Sequence, residues 1–135
     1  MFRKLDETIS VAGQISPDDV AAAAAQGFTF VINNRPDDEQ PCQPSGAEIA
    51  AAAQASGLGY RAIPITHAGF SEQQVAAMQE ALSAAPGPVL AFCRSGTRST
   101  LVWALARSRM GDDAETLSAK AGAAGYDLSP VRAHL

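Results

Sequence analysis

Hydrophobic and polar positions along this chain switch repeatedly between a period of two and a helical period. Residues 1–7 form a charged lead-in, and 8–12, Thr-Ile-Ser-Val-Ala, alternate as a short edge strand does. Ser16 then reads as a helix N-cap, with Pro17 at the first helical position and Asp18 and Asp19 in the first turn; Gly27 stops the helix. Residues 28–32, Phe-Thr-Phe-Val-Ile, are aromatic and β-branched and predict a second strand. Ser45 and Glu48 have capping-box spacing ahead of a helix that runs to about residue 55. Residues 60–65 predict a third strand, with Pro64 near its end where a missing donor is tolerated. Ser71 and Gln74 repeat the box and open a helix to about residue 84, with Val75, Met78 and Leu82 turned inward. Residues 88–92 are a continuous apolar run, the signature of a buried parallel strand. From Ser99 the spacing is helical again, Leu101, Val102, Leu105 and Ala106 sharing a face until Gly111. A helix from Asp112 to about Ala121 and a short turn at Ser129-Pro130 close the pattern. Strand alternating with helix predicts an α/β three-layer sandwich: a mainly parallel four- to five-stranded sheet flanked by helices, with right-handed crossovers.

Composition adds bounds to this picture. At 135 residues the chain is expected to be one domain, and 47% hydrophobic with 18% charged residues is a globular balance. A net charge of −4 without a Lys/Arg run argues against a nucleic-acid partner. No stretch approaches a membrane span and the first residues lack a signal-peptide core, so a cytoplasmic location is expected. Cys42 and Cys93 make no disulfide framework, and with no CxxC and with His67 and His134 isolated they make no zinc site; the reading calls for no metal or cofactor.

The chemistry concentrates where the buried strand meets the following helix. Cys93 ends the strand, and Arg94, Ser95, Gly96, Thr97 and Arg98 form a tight polar loop before the helix. Backbone N–H groups converge at a helix N-terminus and its dipole adds positive charge, so the loop suits an anion and favours a thiolate at Cys93. Arg98 and Arg94 add full charges, and Ser95, Gly96, Thr97 and Ser99 complete the anion-binding set, with the Thr97 and Ser99 hydroxyls placed to donate to Cys93 or, for Ser99, to cap the helix. Ligands in open α/β sheets bind beyond the carboxyl ends of the strands. Arg35, after the second strand, is therefore a candidate wall of the site, whereas Asp37, Asp38 and Glu39 read more simply as a solvated loop. His67 and Glu72 follow the third strand; His67 is a candidate proton donor, and Glu72 reads as an acid at a helix start.

A strand ending in cysteine, followed by a loop closed by arginine and then a helix, resembles two enzyme classes, the cysteine-dependent phosphatases and the rhodanese-type sulfurtransferases. The phosphatase loop places its arginine six positions after the cysteine, where this chain has Ser99. Arg98 stands at the fifth position, as in rhodanese loops resembling CRSGTRS. Taken in order, VAGQ, VINNRPDDEQ, YRAIPI and PVLAFCRSGTRS are similar to the phosphatase-like domain of beta-lactamase-hydrolase-like proteins over residues 3–110. That resemblance implies a dual-specificity-phosphatase-like fold carrying a loop of rhodanese length, in a family described both as phosphatases and as sulfur transferases. Ester hydrolysis needs a general acid, which related phosphatases supply as an aspartate from the loop that here reads ITHAGFSEQQ and holds none. Loop length and the missing aspartate both favour sulfur transfer. In that reading the Cys93 thiolate takes sulfane sulfur from thiosulfate or a persulfide, Arg98 and Arg94 hold the donor's anionic group, and a thiol or cyanide accepts the sulfur. The first alternative is a phosphatase working through a Cys93 phosphocysteine. The second is a non-catalytic module that binds anions or senses oxidants, with Cys42 as partner to an oxidised Cys93.

Overall fold

The computed structural model describes residues 2–135. Five strands form one sheet: β1 (Arg3–Asp6), β2 (Ile9–Ala12), β3 (Phe30–Asn33), β4 (Gly59–Ala62) and β5 (Val89–Phe92), in the order β1-β2-β5-β3-β4. All pairs are parallel except β1 with β2. The helices are α1 (Pro17–Ala25), α2 (Gly46–Ala55), α3 (Glu72–Ala84), α4 (Thr97–Arg109) and α5 (Ala114–Ala123), followed by a 3-10 turn at Ser129–His134. The three-layer arrangement expected from the sequence is therefore present.

Alternation along the strands decides which layer each side chain joins. Val89 and Ala91 of β5 pack with Ile32, Val102, Trp103 and Leu117 on the face covered by α3, α4 and α5. Leu90 and Phe92 point the other way, to Val20, Ile49 and Ala53 of α1 and α2. Every residue of β5 is buried, as a central parallel strand covered on both faces must be.

Two strand assignments change. Residues 3–6, expected as a lead-in, form the antiparallel edge strand, and β2 lies inside the sheet between β1 and β5. Only Leu5 of β1 is buried, so the Arg-Lys-Leu-Asp stretch carries almost no alternating signal. The helix starts are mostly as expected. Ser16 with Asp19, and Ser71 with Gln74, form complete capping boxes. At α2 only half the box forms: Ser45 accepts from the Glu48 N–H, while Asp37 accepts from the Gly46 N–H at 2.8 Å. Asp113 rather than Asp112 caps α5, because Asp112 is held by Arg107.

Candidate active site

The carboxyl ends of β2, β3 and β5 meet at Cys93. The Cys93 N–H donates to the Ala12 carbonyl, the Asn34 N–H to the Phe92 carbonyl, and the Gln14 N–H to the Arg94 carbonyl. Gly13 permits this closeness: a Cβ there would stand 2.9 Å from the Arg94 oxygen. Cys93 itself is fully buried. The loop turns at Gly96, whose φ of 90° lies in the left-handed region and which serves as the N-cap of α4. Its N–H donates to the Cys93 sulfur at 3.1 Å. Helix α4 thus starts at Thr97, two residues earlier than the hydrophobic spacing indicates, and carries Arg98 in its first turn.

Arg98 is fixed by two groups distant in sequence. Its Nη1 donates to Glu39 Oε2 at 2.7 Å and to the Ile65 carbonyl at 2.6 Å, and its Nη2 donates to Glu39 Oε1 at 2.8 Å. Arg98 is pushed above its ordinary value, chiefly by the Glu39 hydrogen bonds, which outweigh the opposing effect of burial. A guanidinium has five N–H donors. Three of Arg98's are engaged here. The Nε–H and the remaining Nη2–H lie parallel along one edge, and neither is used by Glu39 or Ile65.

Glu39, expected in a solvated loop, is instead the hinge of the charge network. Besides holding Arg98 it accepts from Arg35 Nε at 2.9 Å. Arg98's hydrogen bonds, and then Arg35's, outweigh the effect of burial and hold the Glu39 carboxyl down at about 2. A carboxylate with a lowered pKa stabilises the fold above its unfolded value and loses that contribution as pH falls through the folded one. Glu39→Gln is therefore expected to lower the thermal midpoint at neutral pH, with the gap to wild type narrowing below the ordinary 4.5 and closing near pH 2. Midpoints measured across that pH range check this.

The other sequence candidates separate into those at the loop and those away from it. Arg35 was expected at the anion site, but its side chain is only 2% exposed, and its three nitrogens are taken by Glu39, Gln14 and Gln40. From this buried position it braces Glu39. Arg94, Ser95 and Thr97 are exposed on the loop, with Ser95 Oγ donating to Thr97 Oγ1 at 3.0 Å. Ser99 neither caps α4 nor bonds Cys93: it is buried in the first turn, and its hydroxyl has no partner among the described residues. His67 is exposed on the loop after β4, two positions beyond Ile65, whose carbonyl Arg98 engages. Glu72 turns away to Arg109, at 2.6 Å, beside a cavity of about 420 Å³ between α3, α4 and the terminal turn that none of the Cys93 loop lines. Cys42 is exposed and unpaired, in a left-handed conformation with φ of 65°. Glu39, Gln14 and Gly13 carry no local signal of a site role. Their part is set by tertiary contact.

The family model for the phosphatase-like domain of beta-lactamase hydrolase-like proteins matches residues 1–110. The chain belongs to this family. The resemblance drawn from VAGQ, VINNRPDDEQ, YRAIPI and PVLAFCRSGTRS is thereby confirmed. A beta-lactamase hydrolase-like protein of Agrobacterium fabrum is 37% identical over 102 residues, which is 76% of this chain and 24% of the relative. The chain thus spans about a quarter of the length of that curated relative. Among solved structures, a protein of Neisseria meningitidis described as a candidate phosphatase superposes with a TM-score of 0.84 at 32% identity, covering 97% of this chain and 93% of that one. TpbA of P. aeruginosa, solved as a cysteine-to-serine variant with pTyr bound, superposes with a TM-score of 0.63 at 20% identity over 88% of this chain and 70% of that one, a likeness of fold.

These findings identify a phosphatase-like enzyme domain and overturn the sulfur-transfer expectation together with its thiol acceptor. Arg98 stands one position nearer the cysteine than in the phosphatase loop, and because α4 begins at Thr97 it still sits in the first turn of that helix.

Proposed function

We propose that the domain is a cysteine-dependent phosphatase that hydrolyses phosphate monoesters through a Cys93 phosphocysteine. The free edge of Arg98 carries the reading. Glu39 and the Ile65 carbonyl occupy the end of the guanidinium and leave its side-on fork, Nε–H with Nη2–H, uncommitted to either of them. A planar fork matches two oxygens of a phosphoryl group.

The Cys93 thiolate attacks phosphorus, the P–O ester bond breaks, and the alcohol or phenol leaves with a proton. Water then attacks the S–P bond, releasing inorganic phosphate and restoring the thiolate. Arg98 and the loop N–H groups hold the equatorial oxygens as their charge grows. A free thiolate nucleophile works where thiols stay reduced, which suits the cytoplasm.

The proton for the leaving oxygen is assigned to His67. Glu39 is locked between two arginines and Glu72 is turned to Arg109, whereas the His67 loop abuts Arg98. Leaving groups of low basicity need no such donor. His67→Asn is therefore expected to slow phenyl phosphate hydrolysis by roughly 100-fold and p-nitrophenyl phosphate far less; equal effects on both would remove His67 from this role. The function itself is tested by p-nitrophenyl phosphate turnover: wild type is expected to release phosphate and Cys93→Ser to release none.

A further inference from the structure

We propose that Tyr126 is a positioning residue of the Cys93 loop, its phenol holding the Ser95 carbonyl so that the opposite edge of the same peptide, the Gly96 N–H, stays on the Cys93 sulfur. Tyr126 lies beyond the matched residues 1–110, on the segment between α5 and the terminal turn. Its hydroxyl donates to the Ser95 oxygen at 3.0 Å. The Ser95–Gly96 peptide is planar, with its C=O and N–H pointing in opposite directions. Holding the oxygen on one side therefore aims the hydrogen on the other, where the Gly96 N–H meets Cys93 Sγ at 3.1 Å. A hydrogen bond to the carbonyl also polarises the peptide and strengthens its donor edge.

The loop needs an outside hold at this point. Gly96 has no side chain to resist rotation of that peptide, and its φ of 90° is one that only glycine adopts at low cost. Tyr126 fills the space a side chain would take: a Cβ on Gly96 would lie 2.2 Å from the phenol oxygen. Tyr126 is itself anchored. The Arg3 guanidinium stands 5.5 Å from its ring centroid, and Arg3 Nη1 donates to the Ala124 carbonyl at 3.1 Å. Lys120 of α5 pairs with Asp6 of β1 at 2.9 Å. The Tyr126 N–H closes the end of α5 on the Ala121 carbonyl at 2.9 Å. Strand β1 and helix α5 thus form a clamp that delivers the phenol to the loop. Burial pushes the Tyr126 hydroxyl up, so it remains a donor at neutral pH.

The inference rests on the phosphatase reading for its kinetic consequence, and a second readout is independent of it. Tyr126→Phe removes one oxygen and keeps the ring under Arg3. In a Cys42→Ser background, two rates are compared with Tyr126 present and absent: kcat/KM for p-nitrophenyl phosphate, and alkylation of Cys93 by the anion iodoacetate, followed by intact mass. Loss of one net hydrogen bond is expected to cut both about fivefold to tenfold, mainly through kcat for the ester, with the thermal midpoint within about 5 °C of the parent. If wild type turns over no ester but alkylation still falls in Tyr126→Phe, the positioning role stands and the phosphatase reading fails. Unchanged alkylation in a folded Tyr126→Phe would overturn the positioning role, as would a loss of activity seen only where the variant is unfolding.

Discussion

Cys93→Ser is expected to lower phosphate-ester turnover by roughly 10⁴-fold or more, to the background of the assay. The hydroxyl is nearly isosteric, and the Cys93 sulfur accepts a hydrogen bond from the Gly96 N–H. A serine oxygen can take that same bond, so the loop, the α4 N-terminus and the thermal midpoint are expected to change little. What disappears is the nucleophile. A serine hydroxyl stays protonated at neutral pH, and the Glu39 carboxylate is committed to two guanidinium groups. Initial rates with p-nitrophenyl phosphate, paired with thermal melts, separate this loss from unfolding. Turnover surviving in the variant would locate the chemistry elsewhere.

Arg98→Lys is the second large effect, expected at roughly 10²–10³-fold in kcat/KM, the cost of removing an electrostatic clamp on a developing oxyanion. Charge is conserved, so the loss reports geometry. An ammonium can pair with Glu39 or with a phosphoryl oxygen, but it cannot present an end to one and a parallel fork to the other, as Arg98 does. Most of the loss is expected in kcat, because the equatorial oxygens gain charge in the transition state. A rise in KM alone would mean that Arg98 binds the ground state uniformly. Stability is expected to fall only modestly, since Glu39 retains Arg35.

The order in which these features became readable follows their distance along the chain. The continuous apolar run of β5, the capping serines at 16, 45 and 71, and the run from Cys93 through Arg98 are local, and each was legible from the sequence alone. Strand β1 was not, because an edge strand with one buried residue has no pattern to show. Arg98 meets Glu39 from 59 residues away, and Tyr126 reaches Ser95 across 31. Nothing in Asp-Asp-Glu distinguishes the acid that will be enclosed from the two that stay in solvent. Arg35 was the converse case: a cation in the right loop, drawn inward to Gln14, Glu39 and Gln40. The start of α4 moved by two residues. Helical periodicity placed the start of α4 at Ser99, and the left-handed Gly96 places it at Thr97.

In a cysteine-dependent phosphatase, phosphate passes through a covalent bond to the nucleophile, here Cys93. The most direct measurement mixes the protein with an excess of p-nitrophenyl phosphate, quenches by denaturation within one turnover, and reads intact mass with peptide mapping. The expected result is a gain of one phosphoryl group on the peptide carrying Cys93, formed as fast as p-nitrophenol appears and absent from Cys93→Ser. Release of p-nitrophenol with no phosphoryl group on Cys93 at any time within the turnover would contradict it.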